Sequence, residues 1–166
     1  MKPCWKHELQ IFVDELIEHV YQWPVHERST VRILQLIERK QRHLNKGNFP
    51  DYGCYYLQLA QIVDHFLQAA LDTRPDLSWF CKYWETFDQE NKLTLNHVII
   101  EETENERTFK KFVLQRKKQE IEHYCRSAIQ CSYHMFHSPP DRIKTYHLLY
   151  GESFVEWENP SLHIPS

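Results

Sequence analysis

One long stretch of helical periodicity, residues 103–136, constrains this chain more than any other feature of its sequence. Its apolar residues recur at spacings of three and four, which at 3.6 residues per turn places them on one stripe. The stripe consists of Val113, Leu114, Ile121, Tyr124, Cys125, Ala128, Ser132, Met135 and Phe136. Thr103 and Glu106 have the spacing of a capping box at the start of a helix. We therefore expect a long central helix with one buried face.

Shorter helices are expected to pack against this central helix. Residues 5–23 match the helical template at nearly every step, and Pro24 ends the run. Further helices are predicted at 29–46, 54–71, 79–87 and 141–150. Residues 92–100 alternate as a strand would, but a single strand lacks a partner, so a loop or the start of a helix is favoured. The sequence predicts an all-α, single-domain helical bundle of five or six helices over residues 1–151, followed by a loosely ordered C-terminal tail over 152–166.

Composition excludes several classes of function. A chain of 166 residues suits one domain, and a net charge of -3 gives no global field that would attract nucleic acid. The three glycines are not clustered, as a phosphate-binding loop would require. Five cysteines at irregular spacing indicate reduced thiols. With neither a signal peptide nor an apolar run of about 20 residues, we expect a cytoplasmic protein that does not span a membrane, and no cofactor is predicted.

Aromatic residues are concentrated in one short segment, residues 79–87. As a helix, this segment would place five rings on less than half of its circumference. Such a cluster either fills the core or forms a binding patch, because Trp and Tyr dominate the energetics of protein interfaces. The candidate partner-binding residues are Trp79, Phe80, Tyr83 and Trp84.

Two residues near the C-terminus are candidates for catalysis. Arg142 and His147 are separated by four residues at the start of a predicted helix. This spacing resembles the motif of the HEPN family of helical ribonucleases, in which the Arg and His of two subunits meet at a dimer interface. The resemblance implies that Arg142 stabilises charge on the scissile phosphate of RNA and that His147 moves a proton. The alternative is a helix in which Ile143, His147 and Tyr150 pack inward.

A second candidate lies at the end of the predicted helix 29–46. His43 is followed by Lys46 and Gly47, a pattern that resembles the histidine-phosphotransfer signature. The resemblance implies that His43 accepts a phosphoryl group and that a lysine one turn later neutralises it. Pro50 stops the helix shortly afterwards, so the alternative is a basic helix end closed by a glycine cap.

Two other groups of side chains are candidates for binding a metal ion or a nucleic acid. Cys131, His134 and His137 lie on adjacent parts of one helical face and could supply part of a zinc site, with a fourth ligand from elsewhere, but ordinary surface histidines of a helix are the favoured interpretation and no metal is predicted. A basic run could contact nucleic acid, although flanking acidic residues make a solvated helix face the simpler interpretation. The run consists of Lys110, Lys111, Arg116, Lys117 and Lys118.

No catalytic signature in this sequence is complete, whereas aromatic and charged helix faces are plentiful. We therefore expect a non-enzymatic intracellular regulatory or adaptor protein that binds a macromolecular partner, in the first place a protein, through its helix faces. The HEPN-like ribonuclease and the histidine-phosphotransfer module are the alternatives. The sequence leaves the identity of the partner and the oligomeric state open.

Overall fold

The computed structural model describes residues 4–163. In this range the chain forms four α-helices and a five-stranded mixed sheet, so the prediction of an all-α bundle is wrong. The helices are α1 (Trp5–Val20), α2 (Thr30–Gln41), α3 (Tyr52–Leu71) and α4 (Lys118–Phe136). The strands are β1 (Leu77–Asp88), β2 (Asn91–Glu102), β3 (Arg107–Val113), β4 (Arg142–His147) and β5 (Glu152–Glu158).

The first three helices follow from local sequence signals. Ser29 caps α2, since its side chain accepts a hydrogen bond from the backbone N–H of Arg32. Asp51 caps α3 in the same way through the N–H of Cys54. The buried stripe of α1 consists of Leu9, Phe12, Val13, Leu16, Ile17 and Val20. Periodicity and caps are therefore enough to locate these helices.

The sheet has the strand order β1-β2-β3-β4-β5, and β3 and β4 are its parallel pair. α4 connects these two strands, because a parallel pair needs a crossover connection. The other neighbours are antiparallel, and β1 and β2 form a hairpin of two 12-residue strands. β2 pairs with β3 only from Ile99 to Glu102. The rest of β2, residues 91–98, therefore has β1 as its one strand partner.

Both faces of the sheet are covered, and each face has its own core. α1, α2 and α3 pack on one face, where Phe66, Ile99 and Phe112 are buried. α4 packs on the other face, where Phe109 and Ile143 are buried. The result is a three-layer arrangement of helices, sheet and helix, in which apolar helix stripes cover the centre of the sheet and leave part of β1 exposed.

The long helix predicted for residues 103–136 is in fact two elements. Residues 107–113 form β3, and α4 begins only at Lys118. Phe109 faces α4 while Phe112 faces the other three helices, and a strand buried on both faces lacks the alternation that identifies a strand. The buried residues of α4 are Ile121, Tyr124, Ser127, Ala128, Cys131 and Ser132.

The helices predicted at 79–87 and 141–150 are also wrong. The first of these segments lies in β1, and the second contains β4. Residues 92–100, predicted as a loop or the start of a helix, lie in β2. Aromatic and β-branched side chains favour strands once neighbouring strands are available, and β1 and β2 provide each other with that neighbour.

The segment predicted as a C-terminal tail, residues 152–166, contains β5. This strand pairs antiparallel with β4 and packs Trp157 against the core under α4. Residues 1–3 and 164–166, which belong to the predicted domain and tail, lie outside the described residues.

Candidate functional site

β1 forms one edge of the sheet and β5 forms the other. No strand among residues 4–163 pairs with the outer side of β1, which is 12 residues long and contains no proline. Proteins usually shorten edge strands or protect them with charges, because unpaired N–H and C=O groups can pair with another chain. β5, with seven residues of which three are glutamates, fits that rule. β1 does not.

Large apolar side chains are exposed along the same strand. The exposed fractions are 53% for Leu77, 45% for Trp79, 48% for Tyr83 and 65% for Phe87. We refer to these four residues as the β1 strip. An unpaired backbone edge beside exposed apolar side chains has the two features that strand addition needs, because main-chain hydrogen bonds give affinity and side-chain contacts give specificity.

A kink in the middle of the hairpin determines which side chains of β1 face α4. Lys82 and His97 interrupt the ladder of paired residues, and His97 has a φ of 53°. Before the kink, Trp79 contacts the ring of Phe136 in α4, with centroids 6.3 Å apart. After it, Trp84 contacts a histidine of α4 at 5.9 Å. Residues five apart in an unbroken strand point to opposite faces, so the kink is what brings both tryptophans to α4.

Glu18 of α1 holds this kink in place. Its carboxylate lies 3.0 Å from His97 Nε2 and 3.1 Å from Lys82 Nζ. These contacts lower the pKa of Glu18, and the hydrogen bond with His97 is the largest cause. Asp14, one turn earlier on α1, lies 3.8 Å from His97 Nδ1. Contacts with α1 therefore set the point along β1 at which successive side chains switch from one face of the sheet to the other.

Beyond the kink, polar contacts position the exposed ring of Tyr83. Its hydroxyl donates a hydrogen bond of 2.6 Å to Glu85, and Lys92 Nζ lies 2.9 Å from the same carboxylate oxygen. These hydrogen bonds lower the pKa of Glu85 and raise the pKa of both Tyr83 and Lys92. The two charges offset each other, so this part of the hairpin presents an ordered ring with little net charge.

The four residues that the sequence predicts to bind a partner differ in their exposure to solvent. Trp79 and Tyr83 are exposed, whereas Phe80 and Trp84 are half-buried against the two cores. The predicted set omits Leu77 and Phe87, which complete the β1 strip. The strand propensity of this aromatic-rich segment is the sequence signal that could have located the edge. The aromatic residues of this segment are spaced as on a helix, because the kink interrupts the two-residue alternation that would identify a strand.

Arg142 and His147, the candidate ribonuclease pair, both lie in β4 and are not brought together within the chain. Their separation of five residues places them on opposite faces of a strand. Arg142 forms ion pairs with Glu158 at 2.9 Å and Glu106 at 3.4 Å. His147 is buried, and its Nε2 lies 3.2 Å from Thr145 Oγ1. The motif therefore lies on a strand, and not at the start of a terminal helix.

His43, the candidate phosphoacceptor, is exposed and lies just after the end of α2. Lys46 lies in a short 3₁₀ turn, where its Nζ donates a hydrogen bond of 3.2 Å to the hydroxyl of Tyr56. The two residues are therefore not related by one turn of a continuous α-helix, which is the arrangement that the phosphotransfer signature implies.

The candidate zinc ligands have different surroundings along α4. Cys131 is buried, whereas His134 and His137 are exposed. His137 ends the helix in the left-handed conformation, with a φ of 59°. Across residues 4–163, no group of three or more His, Cys, Asp or Glu side chains is arranged to hold a metal ion.

The basic run does not form one helix face. Lys110 and Lys111 lie in β3, and their side chains alternate between the two faces of the sheet. Each of the other three basic side chains lies beside a glutamate, at 2.8 Å for Arg116, 3.3 Å for Lys117 and 3.9 Å for Lys118. Nucleic-acid binding by this run stays a prediction.

No protein-family model, no curated protein and no solved structure matches the chain. Among the residues that the structure describes, no helix has both the length and the apolar character needed to cross a membrane. The geometry of β1 and its surroundings is therefore the main guide to function.

Proposed function

We propose that this protein is a non-enzymatic adaptor or regulatory module that binds an extended segment of another protein along the outer edge of β1. One observation carries the proposal: a single 12-residue strand combines an unpaired backbone edge with the four exposed side chains of the β1 strip. The binding surface is thus a strand edge, and not the helix faces that the sequence suggested.

The proposed partner segment is extended, because only a strand can satisfy the hydrogen-bonding groups along the edge. Its apolar side chains reach Trp79 on the α4 face before the kink and Tyr83 on the opposite face after it, so they do not follow one unbroken two-residue alternation. The charges beside the middle of the strip offset one another, as Glu85 does with Lys92 and Glu18 does with Lys82. A partner segment with little charge of its own is therefore favoured.

A different protein is a better occupant of this edge than a second copy of the chain. If two β1 strands paired antiparallel along their full length, the Lys82 residues of the two copies would lie close together near the middle. Like charges in that arrangement are destabilising. Both kinks would also fall at the middle of the pairing, where the ladder is already interrupted.

We do not propose ribonuclease or phosphotransfer activity. The geometry of Arg142 and His147 on opposite faces of β4 offers no common site within the chain. His43 lies outside the regular part of α2.

Photo-crosslinking tests the proposed binding edge. A benzophenone-bearing residue replaces Tyr83 in the full chain, which is then irradiated in an extract of its own host. The matched control carries the same residue at Tyr52, a ring that is 70% exposed on α3. We expect peptides of one other protein to crosslink at position 83 and not at position 52. A synthetic peptide of the crosslinked segment should then bind the purified chain.

Two double variants identify the edge as the binding surface. Trp79→Lys with Tyr83→Lys should weaken binding of that peptide at least tenfold, because lysine protects strand edges from pairing. Tyr52→Lys with Leu57→Lys, on exposed positions of α3, should bind as the unmodified chain does. Bound peptide should also slow hydrogen exchange of the β1 amides. Crosslinks between two copies of the chain, equal binding by both double variants, or unchanged exchange in β1 would each overturn the proposal.

A further inference from the structure

β2 and β3 separate beyond the kink and leave a cleft between α1 and α4. Their pairing ends at Ile99 and Lys110. Two adjoining cavities occupy the space, one of about 210 Å³ and one of about 530 Å³. Both are lined by Asn96, Lys111, Val113, Gln115, Lys117 and Glu120. We refer to the two cavities together as the Lys111 cleft.

Lys111 is a mostly buried cation that faces both cavities of this cleft. Its Nζ lies 5.2 Å from the centre of the Tyr124 ring. Within residues 4–163, this ammonium forms no ion pair within 4.0 Å and no hydrogen bond. Burial lowers the pKa of Lys111, and the more distant Asp14 and Glu120 oppose that effect.

The two nearest acidic residues already have other partners. Asp14 accepts a hydrogen bond of 2.8 Å from Gln10 and lies near His97. Glu120 lies 3.3 Å from Lys117. Buried charges in proteins are normally paired, so Lys111 has the environment of a cation whose counter-ion is supplied from outside the chain.

The first turn of α4 borders the same cleft. Lys117, Glu120 and Ile121 of this 19-residue helix line the smaller cavity. No side chain caps its N-terminus, and the first backbone N–H group with an intrahelical acceptor is that of Ile121, which bonds to the carbonyl of Lys117. Uncapped helix N-termini bind anions, because their N–H groups and the helix dipole both favour negative charge.

We propose that the Lys111 cleft binds the oxyanion head group, phosphate or carboxylate, of a small molecule. The ammonium of Lys111 neutralises the head group and the first turn of α4 donates hydrogen bonds to it. Leu95, Ile121 and Tyr124 line the smaller cavity and contact the apolar part of the ligand. A volume of about 210 Å³ limits that part to about one ring, because pockets for drug-sized ligands begin at roughly 300 Å³. The site does not involve the β1 strip.

Calorimetric titration with four probes tests this site. Phenyl phosphate and benzoate share a ring and differ in the oxyanion, while benzamide is neutral and benzylamine is cationic. We expect one or both anions to bind at constant ionic strength and neutral pH, and the other two probes not to bind. The relative affinities of the two anions distinguish phosphate from carboxylate as the natural head group. Absence of binding by both anions, or equal binding by benzamide, would contradict the proposal.

Three variants connect binding to the cleft. Lys111→Met should weaken anion binding at least tenfold, and Lys111→Arg should retain it. Glu120→Gln should tighten it about fivefold, because it removes a negative charge from the lining of the cleft. The control Lys40→Met removes a lysine of α2 that pairs with Glu15, and it should not change binding. Unchanged binding by folded Lys111→Met would overturn the assignment.

A measurement on the unmodified chain keeps the test valid if Lys111→Met does not fold. The titration of Lys111 can be followed through its Cε and Hε signals by NMR, with and without saturating phenyl phosphate or benzoate. An oxyanion at the ammonium should raise the pKa of Lys111, because it stabilises the charged form. A bound anion that leaves this pKa unchanged would place the ligand elsewhere.

Discussion

Lys110 and Lys111 are consecutive residues of β3, and their ammonium groups lie on opposite faces of the sheet in opposite surroundings. Lys110 Nζ donates hydrogen bonds to the carbonyl of Ala69 at 2.7 Å and to Asp72 at 3.1 Å, and it lies 3.4 Å from Glu101. Lys111 Nζ faces the Lys111 cleft and forms no ion pair within 4.0 Å among the described residues. The first lysine is part of a complete buried network, whereas the second is available to a ligand.

This difference predicts opposite effects of the same substitution at adjacent positions. Lys110→Met should lower the free energy of unfolding by about 3–5 kcal/mol, because it leaves the buried Glu101 without its cation. Lys111→Met should change it by less than about 1 kcal/mol, or should stabilise the fold, since it removes a poorly solvated charge that lacks a partner. Urea denaturation of both variants measures the two values. Equal losses would show that Lys111 is also structural.

The unpaired edge of β1 predicts a pattern of hydrogen exchange. Amides in a two-stranded edge alternate between inward groups bonded to β2 and outward groups open to solvent. We therefore expect every second amide to exchange rapidly on each side of the kink, from Trp79 to Cys81 and from Tyr83 to Asp88, and slow exchange from Ile99 to Glu102, where β2 is paired on both sides. Exchange followed by NMR measures each amide. Uniformly slow exchange along β1 would show that its outer side is covered.

Because His147 is buried, we expect the fold to lose stability in acid. Burial lowers the pKa of this histidine from 6.5, so the unfolded chain binds this proton more readily than the folded chain. The contribution of neutral His147 to the free energy of unfolding is complete above pH 6.5. It is lost as the pH falls from that value towards the folded-state pKa. His147→Gln should therefore show a smaller decrease in unfolding free energy between pH 7 and pH 5 than the unmodified chain. Equal decreases would assign the acid sensitivity to other groups.

Because the thiol of Cys131 is buried, we expect the fold to lose stability in base. Burial raises the pKa of this thiol to about 12, whereas a thiol in an unfolded chain titrates at about 8.5. The unfolded chain therefore loses this proton first, and raising the pH from 8 to 10 should cost about 2 kcal/mol through this group. Cys131→Ala should show that much less decrease over the same range. Cys4→Ala, at an exposed thiol, is the matched control and should follow the unmodified chain.

The candidate site could be predicted from the sequence only in part. The concentration of aromatic residues at 79–87 indicated a binding surface, but its exposed members depend on the kink at Lys82 and His97. That kink is held by Glu18, which is distant in sequence. The Lys111 cleft had no local signal at all, because it is formed where two strands separate between α1 and α4.

The sequence by itself determined the elements whose causes lie within a few residues. Periodicity locates α1, periodicity and side-chain caps locate α2 and α3, and the buried stripe locates the body of α4 but not its start, since helical hydrogen bonds join residues four apart. The tertiary structure decided the pairing of β3 with β4, because it joins residues distant in sequence such as Thr108 and Arg142. It also decided which of two adjacent lysines is paired and which faces a cavity, since only packing assigns each face of a strand to its neighbours.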